Sequence, residues 1–248
     1  MPDPLQVRSM FASIASRYDL LNRLLSAGID RGWRRSLLAL AGDVRGRSAV
    51  DVCCGTGDVA LRLFRGGAHV VGIDFTPEML LLAVKKGRRD RSTHPGALAF
   101  VHGDAIALPL AAGCADLITI AFGIRNVTDR VAGLREMSRA LKPGARLLIL
   151  EFGSPRNRRV AAAFGIYFKR ILPRVGAFVS GDREAYRYLP ESVAAWPGAV
   201  EFQREIEQAG FIDCGHRALS GGIAYLHWGA APQARPSDAA ALSRGAGR

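Results

Sequence analysis

Val50-Asp51-Val52-Cys53-Cys54-Gly55-Thr56-Gly57-Asp58 is the stretch that decides the fold of this chain. A short apolar run, Ser48 to Cys53, enters a turn with glycine at 55 and 57 and leaves as the helical stretch Asp58 to Phe64. Strand, glycine turn and helix in that order form the first unit of an open α/β sheet, in which bare backbone lets a ligand lie against the main chain. The same alternation continues downstream. His69 to Asp74 reads as a second strand, followed by a helix whose first turn carries Pro77 behind a candidate cap at Thr76. Leu98 to His102 is a third strand and Asp116 to Phe122 a fourth. A helix over Thr128 to Leu141, ended by Lys142-Pro143-Gly144, leads to a fifth strand, Arg146 to Phe152. Repeated β-α units predict a mostly parallel, Rossmann-like sheet with right-handed crossovers.

The strand ends carry the chemistry. Asp74 closes the second strand 17 residues after Gly57, near the ~20 at which a carboxylate grips a ribose diol. Gly55-x-Gly57-x-x-Ala60 also fits the dinucleotide fingerprint, which alone is a weak signal. Two further acids turn the expectation to S-adenosylmethionine (SAM). Asp51 lies on the strand before the turn, where dinucleotide enzymes carry an apolar residue, and Asp104 in Gly103-Asp104-Ala105 can meet an adenine amino group. A single acid after a strand is ordinarily a surface carboxylate. Acids on three consecutive strand ends are not explained that way. Thr56, at the apex of the turn, offers a hydroxyl and an N–H to the same ligand.

The flanks complete one domain over residues 1–230. Apolar stripes at Val7, Met10, Phe11 and Ile14, and at Trp33, Leu37, Leu38 and Leu40, predict a helical N-terminal cap over 5–41, broken near Gly28. The SAM-binding core spans 48–152. Residues 153–210 are expected to supply a substrate lid, with helices over Ala161 to Leu172, Ala185 to Trp196 and Val200 to Ala209. An edge hairpin follows over 211–230, near Ile212 to Ala218 and Gly222 to Trp228. The Ala-, Pro- and Arg-rich stretch 231–248 is expected to be a disordered tail.

Composition narrows the partners. Half the chain is apolar (49%), yet no run reaches the ~18 residues of a spanning helix, and no signal-peptide core precedes Arg17. A cytoplasmic protein is expected. Cys53, Cys54, Cys114 and Cys214 form no C-x-x-C pair, so no metal site is expected, and neighbouring cysteines bridge only with strain. The net charge of +12, from 34 basic and 22 acidic residues, suits a polyanionic neighbour, either nucleic acid or an anionic membrane face. Scattered arginines reflecting composition alone account for it equally well.

With these elements in place, the chain resembles the C-methyltransferases of menaquinone and ubiquinone biosynthesis from about Val7 to Ala230. The likeness rests on Met10-Phe11, Ile14-Ala15, Arg17-Tyr18-Asp19-Leu20-Leu21-Asn22 and Trp33-Arg34-Arg35. It continues through Phe122-Gly123-Ile124-Arg125-Asn126-Val127-Thr128-Asp129, Leu141-Lys142-Pro143-Gly144, Leu150-Glu151-Phe152, Leu172-Pro173-Arg174-Val175-Gly176 and Tyr186-Arg187-Tyr188-Leu189-Pro190-Glu191-Ser192. The resemblance implies a class I SAM-dependent methyltransferase with SAM contacts at Thr56, Asp74, Asp104 and Ala105. Asp51, Gly55, Gly57 and Ala121 complete the expected cofactor site. Cys53 stands where SAM enzymes often have glycine, and Ala121 where relatives often have serine.

The implied reaction moves the SAM methyl group to a ring carbon of a polyprenylated quinol. Arg125 is expected to stabilise the developing quinolate or to orient a water that takes the ring proton, since guanidinium is itself never neutral. Asn126 would fix the same oxygen, and Asp19 and Tyr188 are further candidates. A bland alternative pairs Arg125 with Asp129 as a helix-start contact. The wording Asp51-Val52-Cys53-Cys54-Gly55-Thr56 resembles menaquinone-only relatives, which favours demethylmenaquinol over the benzoquinol of ubiquinone biosynthesis. An RNA methyltransferase is disfavoured by the lack of an Asn-Pro-Pro-Tyr-type motif and of an aromatic-interleaved basic face, so no nucleic-acid partner is expected. A non-catalytic SAM-binding protein is disfavoured by the intact acids. The polyprenyl tail cannot leave a bilayer cheaply, so peripheral contact with the inner membrane face is expected, through the N-terminal helices and the basic segment from Arg156 to Arg174.

Overall fold

The computed structural model describes residues 4–20, 26, 28–90, 96–155, 165 and 183–233. The helix expected over Ala161 to Leu172, the basic segment from Arg156 to Arg174, and the tail from 234 onward lie outside the described residues, Gly165 excepted.

The chain opens with α1 (Pro4–Ile14) and a tight turn of helix over Ala15–Arg17, then α2 (Asp30–Ala41). The alternating core follows: β1 (Ser48–Val52), α3 (Asp58–Arg65), β2 (His69–Asp74), α4 (Pro77–Asp90), β3 (Leu98–His102), β4 (Ala115–Ala121), α5 (Arg130–Ala140) and β5 (Leu141–Phe152). After α6 (Arg183–Ala194) and α7 (Ala199–Gln208), the chain closes with β6 (Ile212–Leu219) and β7 (Ala224–Ala230). Seven strands form one sheet in the order β3-β2-β1-β4-β5-β7-β6. The first five run parallel, and β7 enters antiparallel between β5 and β6. The expected α/β, Rossmann-like, mostly parallel sheet is what the chain forms.

Alternation along the strands explains the two buried layers. Leu117, Leu148 and Leu150 face Leu37 of α2 and Val59, Leu63 and Phe64 of α3. Ile118, Ile120, Leu147 and Ile149 face Leu134 and Met137 of α5 and Phe202 and Ile206 of α7. Each of these side chains is less than a tenth exposed, and a fully buried Leu or Ile contributes about 1.5–3 kcal/mol.

Several boundaries shift from expectation, and two of the shifts have a visible cause. Residues 142–144 do not separate helix from strand; β5 already begins at Leu141, which pairs with Ala115 before the register shifts to Leu117 opposite Arg146. The turn chemistry of Lys-Pro-Gly becomes a bulge there, with Gly144 at φ 73° and its N–H donated to Ala231 O. Helix α5 starts at Arg130, because the Asp129 side chain accepts from Ala132 N and caps it.

Candidate active site

Sheet order reverses between β1 and β4, and ligands of open α/β sheets bind in the crevice beyond the strand ends at such a point. The cavity found there is walled by Gly55, Asp74, Phe75, Gly103, Asp104 and Ala105 on one side, and by Ala121, Gly123, Asn126, Val127 and Thr128 on the other. Gly55 and Gly57 both adopt left-handed φ, 54° and 84°, which glycine alone enters without cost. A Cβ on Gly55 would meet only the Tyr18 ring, at 4.0 Å, and would project into the cavity. The bare backbone keeps that space open.

Asp74 is the most thoroughly fixed acid in the cavity wall. Its Oδ2 accepts from Gly55 N at 2.7 Å and its Oδ1 from Thr76 N at 2.9 Å. The expected cap at Thr76 thus spends its N–H on Asp74, while its carbonyl accepts from Met79 and Leu80 at the start of α4. Burial pushes the Asp74 carboxyl above the usual range, opposed by the Thr76 and Gly55 bonds. Asp104 accepts from Ile106 N at 3.1 Å, a local turn that aims the start of the loop into the cavity. His102, two residues earlier, stacks on Phe75 with its Nε2 3.1 Å from Phe75 O.

Asp51 has a different setting. It is 1% exposed, receiving Thr119 Oγ1 at 2.7 Å and Ala60 N at 3.0 Å, and burial raises its carboxyl to about 7. It walls a smaller recess shared with Tyr18, Arg34, Gly55, Thr56 and Ala121. Arg34 is buried there, ion-paired with Asp30, its guanidinium 5.5 Å from the centre of the Phe122 ring.

The N-terminal cap covers the cavity. Val7, Arg8 and Phe11 of α1 and Tyr18 complete its wall. Asp19 lies beside the glycine turn and away from Arg125: Thr56 Oγ1 donates to Asp19 Oδ1 at 2.6 Å, and Lys86 Nζ reaches Asp19 Oδ2 at 2.5 Å. The sequence placed Asp19 among the catalytic candidates; the structure sets it against the glycine turn, bonded to Thr56 and Lys86.

Arg125 also departs from expectation. Its guanidinium turns away from the cavity, its Nη1 donating to Glu151 Oε1 at 2.8 Å and to Phe122 O at 2.7 Å, over the Phe152 ring at 5.3 Å. The acid it pairs with is Glu151, not Asp129, which caps α5. Parallel pairing of β4 with β5 brings Glu151 alongside, and a carboxylate that is 0% exposed attracts the nearest cation strongly. Burial raises the Glu151 carboxyl, opposed chiefly by Arg125. Asn126 does face the cavity, and its Oδ1 accepts from Tyr188 OH at 2.8 Å. Burial also raises the Tyr188 phenol. Lys86 and Thr119 went unnoticed in the sequence, and Glu151 was read there only as part of the family resemblance, without its role as the partner of Arg125. Glu151 left a signal, a lone charge ending the apolar run Leu147-Leu148-Ile149-Leu150.

The four cysteines are free, and burial pushes the Cys53 and Cys54 thiols well above their usual range. Among the described residues, no group of His, Cys, Asp and Glu side chains could hold a metal ion.

A Rossmann-like sheet with acids on its first three strand ends, around a cavity floored by a glycine turn, defines the class: a SAM-dependent methyltransferase. A solved SAM-dependent methyltransferase from Aquifex aeolicus shares the fold, with a TM-score of 0.57 at 18% identity, over 80% of this chain and 89% of that one. The chain belongs to the ubiE/COQ5 methyltransferase family, whose model matches residues 3–231. It is 47% identical to a demethylmenaquinone methyltransferase of Deinococcus radiodurans, over 88% of this chain and 89% of the relative. It is 48% identical to a ubiquinone/menaquinone biosynthesis C-methyltransferase UbiE of Syntrophotalea carbinolica, over 90% of this chain and 92% of that relative.

Proposed function

We propose that this enzyme transfers the SAM methyl group to a ring carbon of a polyprenylated quinol, demethylmenaquinol in the first instance. The observation that carries this reading is near-full-length identity of 47% with a relative named for that substrate. The benzoquinol of ubiquinone biosynthesis is the second reading, favoured by the name of the Syntrophotalea carbinolica relative.

The donor groups of the cavity suit SAM. Asp74 offers two carboxylate oxygens to a diol, Asp104 with the Ala105 backbone suits an adenine edge, and the turn at Gly55 and Thr56, kept open by Gly57 and lying beside Asp51 and Ala121, suits the amino-acid end. When bound, SAM supplies a sulfonium methyl that is already a strong electrophile. The protein's work is to orient the ring and to manage the hydroxyl proton whose loss makes the neighbouring carbon nucleophilic. Asn126 has its carbonyl engaged by Tyr188, which leaves its amide N–H groups for a ring oxygen. Tyr188 orients Asn126 and keeps its own phenol protonated. Arg125 acts at one remove: its bonds to Glu151 and Phe122 O fix the short segment that presents Asn126 to the cavity.

The polyprenyl tail requires contact with a bilayer surface, and we place that contact at the N-terminal cap and the basic segment from 156 to 174. No helix among the described residues is long and apolar enough to cross a membrane; the contact we propose is peripheral, at the inner face of the membrane. The test is methyl transfer from labelled SAM to demethylmenaquinol, to the demethyl benzoquinol and to RNA, each in detergent micelles. Label in the naphthoquinol confirms the reading; label in RNA alone, or in none of the three, overturns it.

A further inference from the structure

The first segment of the N-terminal cap, residues 5–20, walls the cavity yet has few apolar anchors. On α1, Leu5 is 68% exposed and Val7, Met10 and Phe11 are only half-buried; burial begins at Ile14. Segments with so little buried apolar surface open easily. What fastens this one is polar and gathers at its far end. Lys86, on α4, reaches Asp19 Oδ2 at 2.5 Å, Thr56 Oγ1 at 2.9 Å and Asp58 Oδ1 at 3.0 Å. Thr56 in turn donates to Asp19. One ammonium therefore joins the cap, the apex of the glycine turn and the first residue of α3.

We propose that Lys86 is a positioning residue that clasps the cap onto the cofactor turn and thereby sets how fast SAM enters and leaves. Its three donors match three acceptors from different segments, a service a point charge on a flexible stem performs well. Asp19 and Asp58 both touch this ammonium, so removing it leaves two carboxylates facing each other and pushes the cap outward. The pair is partly exposed, with Lys86 at 31% and Asp19 at 38%, so the clasp is releasable and is weakened by salt. The proposal rests on the assignment of the cavity to SAM. That assignment fails separately, by full SAM affinity in Asp74→Asn.

The experiment chases labelled SAM from the full-length protein with unlabelled SAM, in wild type, Lys86→Met, Asp19→Asn and the double variant, alongside hydrogen exchange of residues 5–20. A partly exposed charged pair predicts dissociation about three- to fivefold faster in each single variant. The double variant should be no faster than either single one, because both break the same link. Raising the salt should speed release from wild type and should not speed it in Lys86→Met, where salt only screens the repulsion between the two carboxylates. Exchange over 5–20 should rise in step. Unchanged dissociation with only a lower melting temperature, or effects that add in the double variant, overturns the clasp. Asp19→Asn is isosteric and keeps the test decisive should Lys86→Met fold poorly.

Discussion

Replacing Arg125 with Met should destabilise the protein before it reveals anything about catalysis. Arg125 is 7% exposed and its partner Glu151 0%, with Nη1 and Oε1 2.8 Å apart. Without the guanidinium, the carboxylate keeps only the Phe152 N–H at 2.9 Å and the Arg125 N–H at 3.4 Å. Stranding one partner of a buried pair costs about 3–5 kcal/mol, and the lost bond to Phe122 O adds about 1 kcal/mol. At roughly 2–4 °C per kcal/mol for a domain of this size, the midpoint should fall by about 10 °C. The acid can escape by taking a proton. Burial already raises the Glu151 carboxyl against the pull of Arg125, so losing Arg125 raises it further and the penalty must be larger at pH 8 than at pH 5. The assay is urea unfolding of wild type, Arg125→Met, Glu151→Gln and the double variant at both pH values. Replacing both partners with neutral groups should recover about half the loss, because no charge is then buried alone. A single variant within about 1 kcal/mol of wild type at pH 8 and at pH 5 would refute the buried pair. So would a double variant whose loss is the sum of the single ones.

Asp74→Asn should weaken SAM binding by about 1.5–3 kcal/mol, the worth of hydrogen bonds to a charged group; calorimetric titration of the folded variant measures it, and unchanged affinity removes Asp74 from the site. Burial raises the Asp51 carboxyl from 3.8 to about 7, so its folded form prefers the proton, and the stability it contributes is full below about pH 4 and lost as pH rises through about 7. Relative to Asp51→Asn, the SAM-free wild type should therefore lose up to about 4 kcal/mol between pH 4 and pH 8 in urea titrations; parallel pH profiles for the two proteins would count against it. Tyr188→Phe should lower turnover roughly tenfold or more with SAM affinity unchanged, since its hydroxyl holds Asn126 and not the cofactor side of the cavity; a loss of SAM affinity instead would place Tyr188 in the wrong half of the site.

What the sequence reveals and what it hides divide along a physical line. The five parallel strands were readable because each is an apolar run ended by a glycine turn or an acid, and both signals are local. Asp74 and Asp104 were placed correctly at strand ends for the same reason: the chain there has nowhere to go but over the sheet edge. Arg125 shows where local reasoning fails. From the sequence its nearest acid is Asp129, four residues on, whereas Glu151 is 26 residues away and arrives only through the pairing of β4 with β5. Asp19 and Thr56, 37 residues apart, meet because the cap folds back over the turn. Lys86 went unnoticed for the same reason. Its meaning depends on two segments that periodicity cannot bring together.

Phe122-Gly123 and the glycine turn are, in three dimensions, one feature. Strands β1 and β4 lie side by side where the sheet order reverses, and each leaves the sheet through a non-glycine residue with positive φ, Cys53 at 52° and Phe122 at 60°. The left-handed region costs such residues about 1–2 kcal/mol, so the surroundings must impose it. Phe122 N donates to Leu150 O at 2.7 Å, and its ring packs between Trp33 and Phe152. Cys54 N donates to Ile73 O at 3.0 Å. The two sharp exits bring the chains so close that a Cβ on Gly123 would lie 2.3 Å from the Cys53 Cβ. Any side chain at 123 would force apart the ends of β1 and β4, and with them the two walls of the cavity. Strain held at strand ends this way is expected where geometry serves a ligand and not stability. It also explains why cysteine suffices at 53: the position needs a small residue that tolerates an imposed turn, and burial keeps the thiol protonated.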